Sequence, residues 1–152
     1  MIKKNLIKFL ILLFFLPGCG YSPIFSSKDA SFSIYELSAS GNNKLNNIIN
    51  NRLNNYKGSD SPKKFSLIIK TSLNKEIASK DSKGNPKSYR ISLTSDISIK
   101  DSNGNIKNKL FSKSVDYNNK SNKSDLKKYE SEISKILAEK ISDEIIIYLQ
   151  SI

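Results

Sequence analysis

The sequence predicts an α+β domain: a four-stranded, largely antiparallel or mixed sheet with two helices packed on one face, in the order β-α-β-β-β-α. Two segments, 42–56 and 125–149, carry apolar residues at the three- and four-residue spacing of a helix. Four other segments between residues 31 and 117 are rich in β-branched and aromatic residues, or alternate apolar with polar side chains. Each strand and each helix offers one apolar surface, so both helices are expected to cover the same face.

The first two elements are a strand over 31–38 and a helix over 42–56. Alternation in the strand is imperfect, which predicts either burial on both sides or a register shift at Tyr35. Asn42 or Asn43 can cap the start of the helix. The helix carries one apolar stripe: Leu45, Ile48, Ile49, Leu53 and Tyr56.

Three strands follow, at 64–77, 87–100 and about 107–117, joined by turn-forming segments at 81–86 and 101–105. The strand at 87–100 alternates most clearly. At roughly 3.3 Å per residue it would span about 46 Å. Because this is long for a strand, its tip and the adjacent turn are expected to project past the core.

The last element is a long helix that Ser124 or Asp125 can cap and that runs to about Leu149. At 1.5 Å per residue it would be about 36 Å long, which matches the sheet that it covers. Charged residues such as Glu130 and Asp143 are expected on its solvent-facing side. Together the elements define a single α+β domain over 31–152.

The N-terminus has the anatomy of a secretory signal peptide, predicted over 1–18. Lys3, Lys4 and Lys8 lie in the first eight residues, and 9–16 is an unbroken apolar run. That run is far shorter than the roughly 18–20 residues that a membrane-spanning helix needs. A cleaved signal is therefore favoured over a permanent span.

The residues around the only cysteine resemble a bacterial lipobox, where a lipoprotein precursor is lipidated and cut. Leu16 at −3, Gly18 at −1 and Cys19 at +1 match it. Pro17 at −2 departs from the usual Ser, Ala, Thr or Val. The resemblance implies a lipid on the Cys19 thiol as the only attached group. Pro23 and its neighbours favour an extended backbone, so the lipidated cysteine and an extended tether are predicted over 19–30. An ordinary signal peptide beside a stray cysteine is the alternative.

The chain is basic, with 25 Lys and Arg against 14 Asp and Glu in 152 residues. Loss of the three signal-peptide lysines leaves 22 basic residues against 14 acidic ones, a net charge of +8. This charge suits an anionic partner such as phospholipid headgroups or phosphorylated lipid A, whereas export argues against nucleic acid. Lys, Asn, Ile and Ser are all abundant, as an AT-rich genome would produce, so the charge can equally reflect codon usage.

The residue types that carry catalysis are missing. The chain has no histidine, no Gly-rich phosphate loop and no nucleophile elbow, and its single thiol is the acylation candidate. The commonest metal ligands are absent, and carboxylates are scattered singly among lysines. The sequence therefore predicts a protein that is not an enzyme and that has no cofactor and no metal.

Two segments resemble the lipopolysaccharide-assembly lipoproteins of the LptE family, in their alphaproteobacterial form. Residues 19–25 (CGYSPIF) are similar to the Cys-Gly-aromatic-x-Pro-apolar-aromatic start of that family. Residues 114–118 (SVDYN), a polar spacer and a long final helix are similar to its Ser-x-x-Tyr-Asn segment. The element order agrees over the mature chain, but the helices are richer in Lys and Asn where the family favours Ala and Arg.

The resemblance implies a protein at the periplasmic side of the outer membrane, inside the large β-barrel of the LptD type that inserts lipopolysaccharide into the outer leaflet. Family members act there as plug, as assembly partner for the barrel and as binder of the lipid. Basic residues around the turn before the long strand are the candidate contacts to lipid A phosphates. They are Lys80, Lys83, Lys87 and Arg90. A merely solvated turn is an equal alternative.

Two other functions are compatible with the same sequence. A structural or scaffolding lipoprotein of another envelope assembly, associated with peptidoglycan or with a transporter, needs the same anchor and could use the same fold. A soluble periplasmic ligand binder would need a cavity in the core, for which the sequence gives no argument.

Overall fold

The computed structural model describes residues 31–58 and 60–152, so the predicted signal peptide, the lipobox and the tether lie outside the described residues. The elements follow in the predicted order: β1 (Phe32–Gly41), α1 (Asn43–Asn54), β2 (Lys63–Lys80), β3 (Pro86–Asp101), β4 (Ile106–Asn118) and α2 (Lys123–Ser151). Within this part of the chain, neither helix combines the length and the hydrophobicity needed to cross a membrane.

The four strands form one mixed sheet in the order β1-β2-β3-β4. β1 is parallel to β2, and the other two pairings are antiparallel. α1 therefore makes the crossover that two parallel neighbours require. The register of β1 shifts between Ile34 and Glu36, which leaves Tyr35 80% exposed at a β-bulge. Of the two alternatives predicted for this strand, the register shift is confirmed.

Both helices pack on one face of the sheet and close a single core, as predicted. The core unites alternate strand residues with one side of each helix. Its fully enclosed aliphatic members include Ile34, Ile49, Leu53, Leu67, Ile69, Leu93, Ile97, Ile99, Ile141, Ile145 and Ile146. The other face of the sheet is left uncovered by the described residues and is called the open face below.

A compact junction joins the end of β1 to the start of α1. Gly41 has a φ of +99°, and the following Asn42 caps α1 by accepting a hydrogen bond from the Leu45 N–H at 3.2 Å. The Asn42 N–H donates to the Thr71 hydroxyl at 3.1 Å, and that hydroxyl donates to the Asn46 side chain at 2.7 Å. The junction thus fixes β1, β2 and α1 to one another, and Asn42 is the cap of the two predicted.

The prediction that Ser124 or Asp125 caps the last helix is wrong, because Asn122 is the cap. Its side-chain oxygen accepts from the Ser124 N–H at 2.9 Å and from the Asp125 N–H at 3.4 Å. Ser124 and Asp125 lie inside the first turn, where their own N–H groups need an acceptor. α2 also runs to Ser151, so at 1.5 Å per residue it is about 44 Å long rather than about 36 Å.

Candidate functional site

A hairpin projects beyond the core, as the strand length predicts. β1 ends at Gly41 opposite Thr71, but β2 and β3 stay paired as far as Lys80 and Pro86. All nine residues from 72 to 80 are exposed. At roughly 3.3 Å per residue they extend about 30 Å past the end of β1. Residues 72–94 are called the projecting hairpin below. Ile91 and Leu93 at its base still belong to the core, and β4 pairs with its β3 strand as far as the pair of Ser88 with Asn118.

The turn at the tip of the projecting hairpin is held by one carboxylate. Asp81 accepts from the backbone N–H groups of Lys83 and Asn85 at 2.9 and 2.8 Å, and from the Asn85 side-chain amide at 3.2 Å. Gly84, with a φ of +83°, donates its N–H to the Asp81 carbonyl at 3.0 Å. These bonds define the backbone that carries the basic residues at the tip.

The turn between β3 and β4 repeats this arrangement at the opposite end of the sheet. The two sequences are KDSKGNPK at 80–87 and KDSNGNIK at 100–107. Asp101 accepts from the N–H groups of Asn103 and Asn105 at 2.9 Å, and from the Asn105 amide at 2.9 Å. The molecule therefore contains two turns of matched chemistry in different surroundings.

The carboxyls of both turns, Asp81 and Asp101, are expected to have lowered pKa values. Hydrogen bonds from Asn85 lower the pKa of Asp81, and hydrogen bonds from Asn105 lower the pKa of Asp101. A carboxyl whose pKa is lower in the folded than in the unfolded protein stabilises the fold above the unfolded pKa, and this contribution is lost as pH falls through the folded pKa. In an NMR titration, both carboxyls are expected to have midpoints below about 3.9, the value for an unstructured Asp. Midpoints at or above those of the linear peptides 80–87 and 100–107 would contradict the turn geometry.

The four predicted phosphate contacts fall into two environments. Lys80, Lys83 and Lys87 are exposed around the tip turn, and no carboxylate of residues 31–58 or 60–152 forms an ion pair with them. Arg90 lies farther along β3 on the open face and is already paired with Asp116. Three of the four residues therefore present free cationic groups at one place, and the fourth does not.

The pair between Arg90 and Asp116 is a two-point contact. The Arg90 Nε lies 2.6 Å from Oδ1 of Asp116, and Nη2 lies 2.8 Å from Oδ2. These hydrogen bonds lower the pKa of the Asp116 carboxyl. A signal for this pair was present in the sequence: residues 90 and 116 are equidistant from the centre of the turn at 101–105, so they face each other across the two strands.

A polar and aromatic network holds the stem of the projecting hairpin to α2. The Tyr117 hydroxyl donates to the Glu130 carboxylate at 2.8 Å, and the Lys75 ammonium lies 2.5 Å from the same oxygen and 4.2 Å above the Tyr89 ring. Tyr117 also contacts the rings of Tyr89 and Tyr129, with centroid separations of 5.8 and 5.9 Å. Burial and the bond to Glu130 raise the pKa of Tyr117. Glu130 was expected to face solvent, but it is partly buried, and its carboxylate binds Tyr117 and Lys75.

The open face is rich in hydroxyl groups in its middle. Cross-strand register places Ser72, Thr94 and Ser112 in one row and Asn74, Ser92 and Ser114 in the next. The end of this face away from the hairpin tip is less polar than its middle, because four apolar side chains are 61–80% exposed there: Tyr35, Ile68, Ile106 and Leu110. Across the described ranges, no three His, Cys, Asp or Glu side chains are grouped as a metal site.

Several solved structures with this fold are described as lipoproteins. A rare lipoprotein B from Shewanella oneidensis is 21% identical with a TM-score of 0.62, covering 78% of this chain and 95% of that chain. A minor lipoprotein from Acinetobacter baumannii is 15% identical with a TM-score of 0.58, covering 80% and 92%. A lipoprotein B from Nitrosomonas europaea is 12% identical with a TM-score of 0.54, covering 77% and 83%. At these identities the similarity establishes a shared fold.

The family is established by the sequence. Residues 33–149 match the LptE family, which is described as lipopolysaccharide-assembly. This match spans most of the chain, so the chain belongs to the LptE family, as the resemblance predicts. Members are non-enzymatic components of lipopolysaccharide assembly in the cell envelope. The alphaproteobacterial type stays a prediction, and no curated protein matches the sequence.

Proposed function

We propose that this protein is an outer-membrane lipoprotein that plugs and helps to assemble the β-barrel of the LptD type, and that it assists the transfer of lipopolysaccharide to the outer leaflet without catalysing a reaction. A lipid on Cys19, at the end of the Leu16-Pro17-Gly18 lipobox, anchors it on the periplasmic side. The observation that carries the proposal is a family match over residues 33–149 combined with a hairpin that projects unpaired lysines beyond the core.

The open face supports the plug function. Barrel lumens are polar, so a domain that fills one should present polar side chains to the wall. Serine, threonine and asparagine side chains form the middle rows of the open face, and they can bond to either donors or acceptors. The β-bulge at Tyr35 also shows that the edge strand is not a regular template for further pairing.

The tip of the projecting hairpin supports contact with an anionic lipid. Lys80, Lys83 and Lys87 are exposed, and the acidic residue beside them, Asp81, uses its carboxylate inside the turn. Phosphate groups such as those of lipid A bind to lysine ammonium groups as charge-assisted hydrogen bonds. Arg90 remains a weaker candidate, since Asp116 would have to release it first.

Affinity purification tests the proposed assembly. The C-terminally tagged protein is extracted from the envelope in mild detergent, and stoichiometric recovery of one very large β-barrel is expected. A Cys19→Ala form exported with an ordinary cleavable signal peptide in place of residues 1–18 should be found in the soluble rather than the membrane fraction, because its anchor is absent. Recovery of the tagged protein alone, with peptidoglycan or with an inner-membrane transporter, would favour a scaffolding lipoprotein of another assembly.

Charge reversal at the tip should weaken lipid binding. The double variant Lys80→Glu/Lys87→Glu is expected to raise the dissociation constant for purified lipopolysaccharide about tenfold, because two attractive charges become repulsive. Binding is measured by titration of the purified protein at fixed ionic strength.

The second turn provides the matched control. Lys100→Glu/Lys107→Glu makes the same charge change beside the same turn chemistry at the other end of the sheet. Binding by this control should stay near that of the unchanged protein. An equal loss in both variants would indicate an effect of net charge alone and remove the tip from the function.

A further inference from the structure

A groove opens at the base of the projecting hairpin, on the side of the sheet that carries the helices. It lies between the start of α1, the first half of α2 and strands β2 and β3, with a volume of about 450 Å³. This falls in the range of about 300–1,000 Å³ typical of small-molecule sites. The apolar side chains that line it are Leu45, Ile48, Leu73 and Ile91.

Lysines outnumber carboxylates around the groove. Four lysines line it: Lys44, Lys75, Lys127 and Lys135. Of the two glutamates that line it, Glu130 already binds the Tyr117 hydroxyl and the Lys75 ammonium, and Glu132 is exposed. Among the described residues no carboxylate forms an ion pair with Lys127 or Lys135. An apolar groove with a cationic rim is complementary to a molecule that has an apolar body and an anionic head.

An apolar stripe leads from the groove toward the tip on the same face of the hairpin. Leu73, at the groove, is 37% exposed, and Ile77, four residues closer to the tip, is 46% exposed. Ile77 lies opposite the partly buried Tyr89, and Val115, which is 37% exposed, lies opposite Ile91 on the next strand. The stripe ends near the tip lysines. Lys75 lies between Leu73 and Ile77 on this face, so one charged residue interrupts the stripe. Exposed apolar patches bordered by polar residues are a feature of binding surfaces.

We propose that this groove binds one acyl chain of an anionic amphiphile, with the phosphate or carboxylate of that amphiphile held by rim lysines. The chain lies against Leu73 and Ile48, and the stripe at Ile77 accommodates the part that extends toward the hairpin tip. The proposal rests on the proposed function only in taking lipopolysaccharide as the natural amphiphile. It assigns the apolar part of the lipid to a place distinct from the lysines at the tip.

Binding of dodecyl phosphate tests the groove. The mature chain from residue 19 is used with Cys19→Ala, because the acyl chains of the anchor would compete for the site. Calorimetric titration below the micelle-forming concentration is expected to show one molecule bound. Leu73→Gln should raise the dissociation constant about tenfold by removing apolar contact. Leu110→Gln, which makes the same change at a 62% exposed position on the open face, should leave it unchanged.

A second pair of variants tests the rim. Lys127→Gln/Lys135→Gln should weaken binding of dodecyl phosphate about tenfold but should leave binding of dodecanol unchanged, since the alcohol has no charge. The control Lys128→Gln/Lys140→Gln changes two exposed lysines of α2 that do not line the groove. Absence of binding, or equal weakening by a test pair and its control, would overturn the proposal.

Displacement identifies the source of the acyl chain. Purified lipopolysaccharide that displaces dodecyl phosphate at lower concentration than phosphatidylglycerol supports lipopolysaccharide as the natural amphiphile. Preferential displacement by phosphatidylglycerol would overturn that assignment. These measurements need no barrel, so a groove that fails to bind leaves the purification of the complex as a separate test of the plug function.

Discussion

Replacement of Gly41 by Ala is expected to lower the free energy of unfolding by about 2–5 kcal/mol, combining left-handed backbone strain with overpacking. Gly41 has a φ of +99°, and a Cβ there would overlap the backbone carbonyl oxygen of Thr71. Thr71 is part of the junction that binds Asn42 and Asn46, so any shift of its backbone would also disturb the start of α1. Urea unfolding followed by circular dichroism measures the change, with an unaltered slope expected.

Gly84→Ala separates the two causes of this loss. Gly84 has a φ of +83°, close to that of Gly41, but a Cβ would meet no atom within 4 Å. The expected cost is therefore only the backbone strain, about 1–2 kcal/mol. If Gly41→Ala costs no more than Gly84→Ala, the close approach to Thr71 adds nothing to the cost of the substitution.

Replacement of Phe32 by Ala is expected to cost about 3–5 kcal/mol, the range for a large aromatic side chain lost from a core. Phe32 is fully buried at the start of β1. Its ring stacks on Tyr56 with a centroid separation of 5.0 Å and lies 6.3 Å from the Phe65 ring. It thus joins β1, β2 and the segment after α1. Because domains are stable by only about 5–15 kcal/mol, the variant should be only marginally folded.

Tyr35→Ala is the matched control in the same strand. The β-bulge turns Tyr35 outward, where it is 80% exposed, so removal of its ring should change the free energy of unfolding by no more than about 0.5 kcal/mol. A cost comparable to that of Phe32→Ala would show that Tyr35 is covered in the folded chain. Thermal unfolding of both variants under identical conditions gives the comparison.

The element order and the packed face could be predicted because the periodicities are strong. The stripe from Leu45 to Leu53 and the alternation from Ile91 to Ile99 each have one period over many residues. The projection of the hairpin also followed from strand length alone. The prediction that failed was the N-cap residue of α2. Asn122 lies in a run of similar polar residues, and its capping role depends on an extended backbone that hydrophobic periodicity does not report.

The candidate site was only partly predictable. Lys80, Lys83 and Lys87 are adjacent to one turn, so sequence proximity was enough to group them. The state of Arg90 depends on cross-strand register, which pairs it with Asp116. The groove could not be predicted, because it is formed by residues from α1, α2 and the hairpin that are far apart in the chain.

Because β1 ends at Gly41 while β2 continues to Lys80, part of the outer edge of β2 is open to neighbouring molecules. Beyond Thr71, no described strand pairs with the outer edge of β2, so its outward backbone N–H and C=O groups there have no strand partner. Such an edge is a template onto which a strand of a neighbouring molecule can add. Two register shifts after Ile77 and the charges of Lys75, Glu76 and Lys80 interrupt that template. These features oppose the addition of a strand from a second molecule, as gatekeeper residues do beside exposed strands.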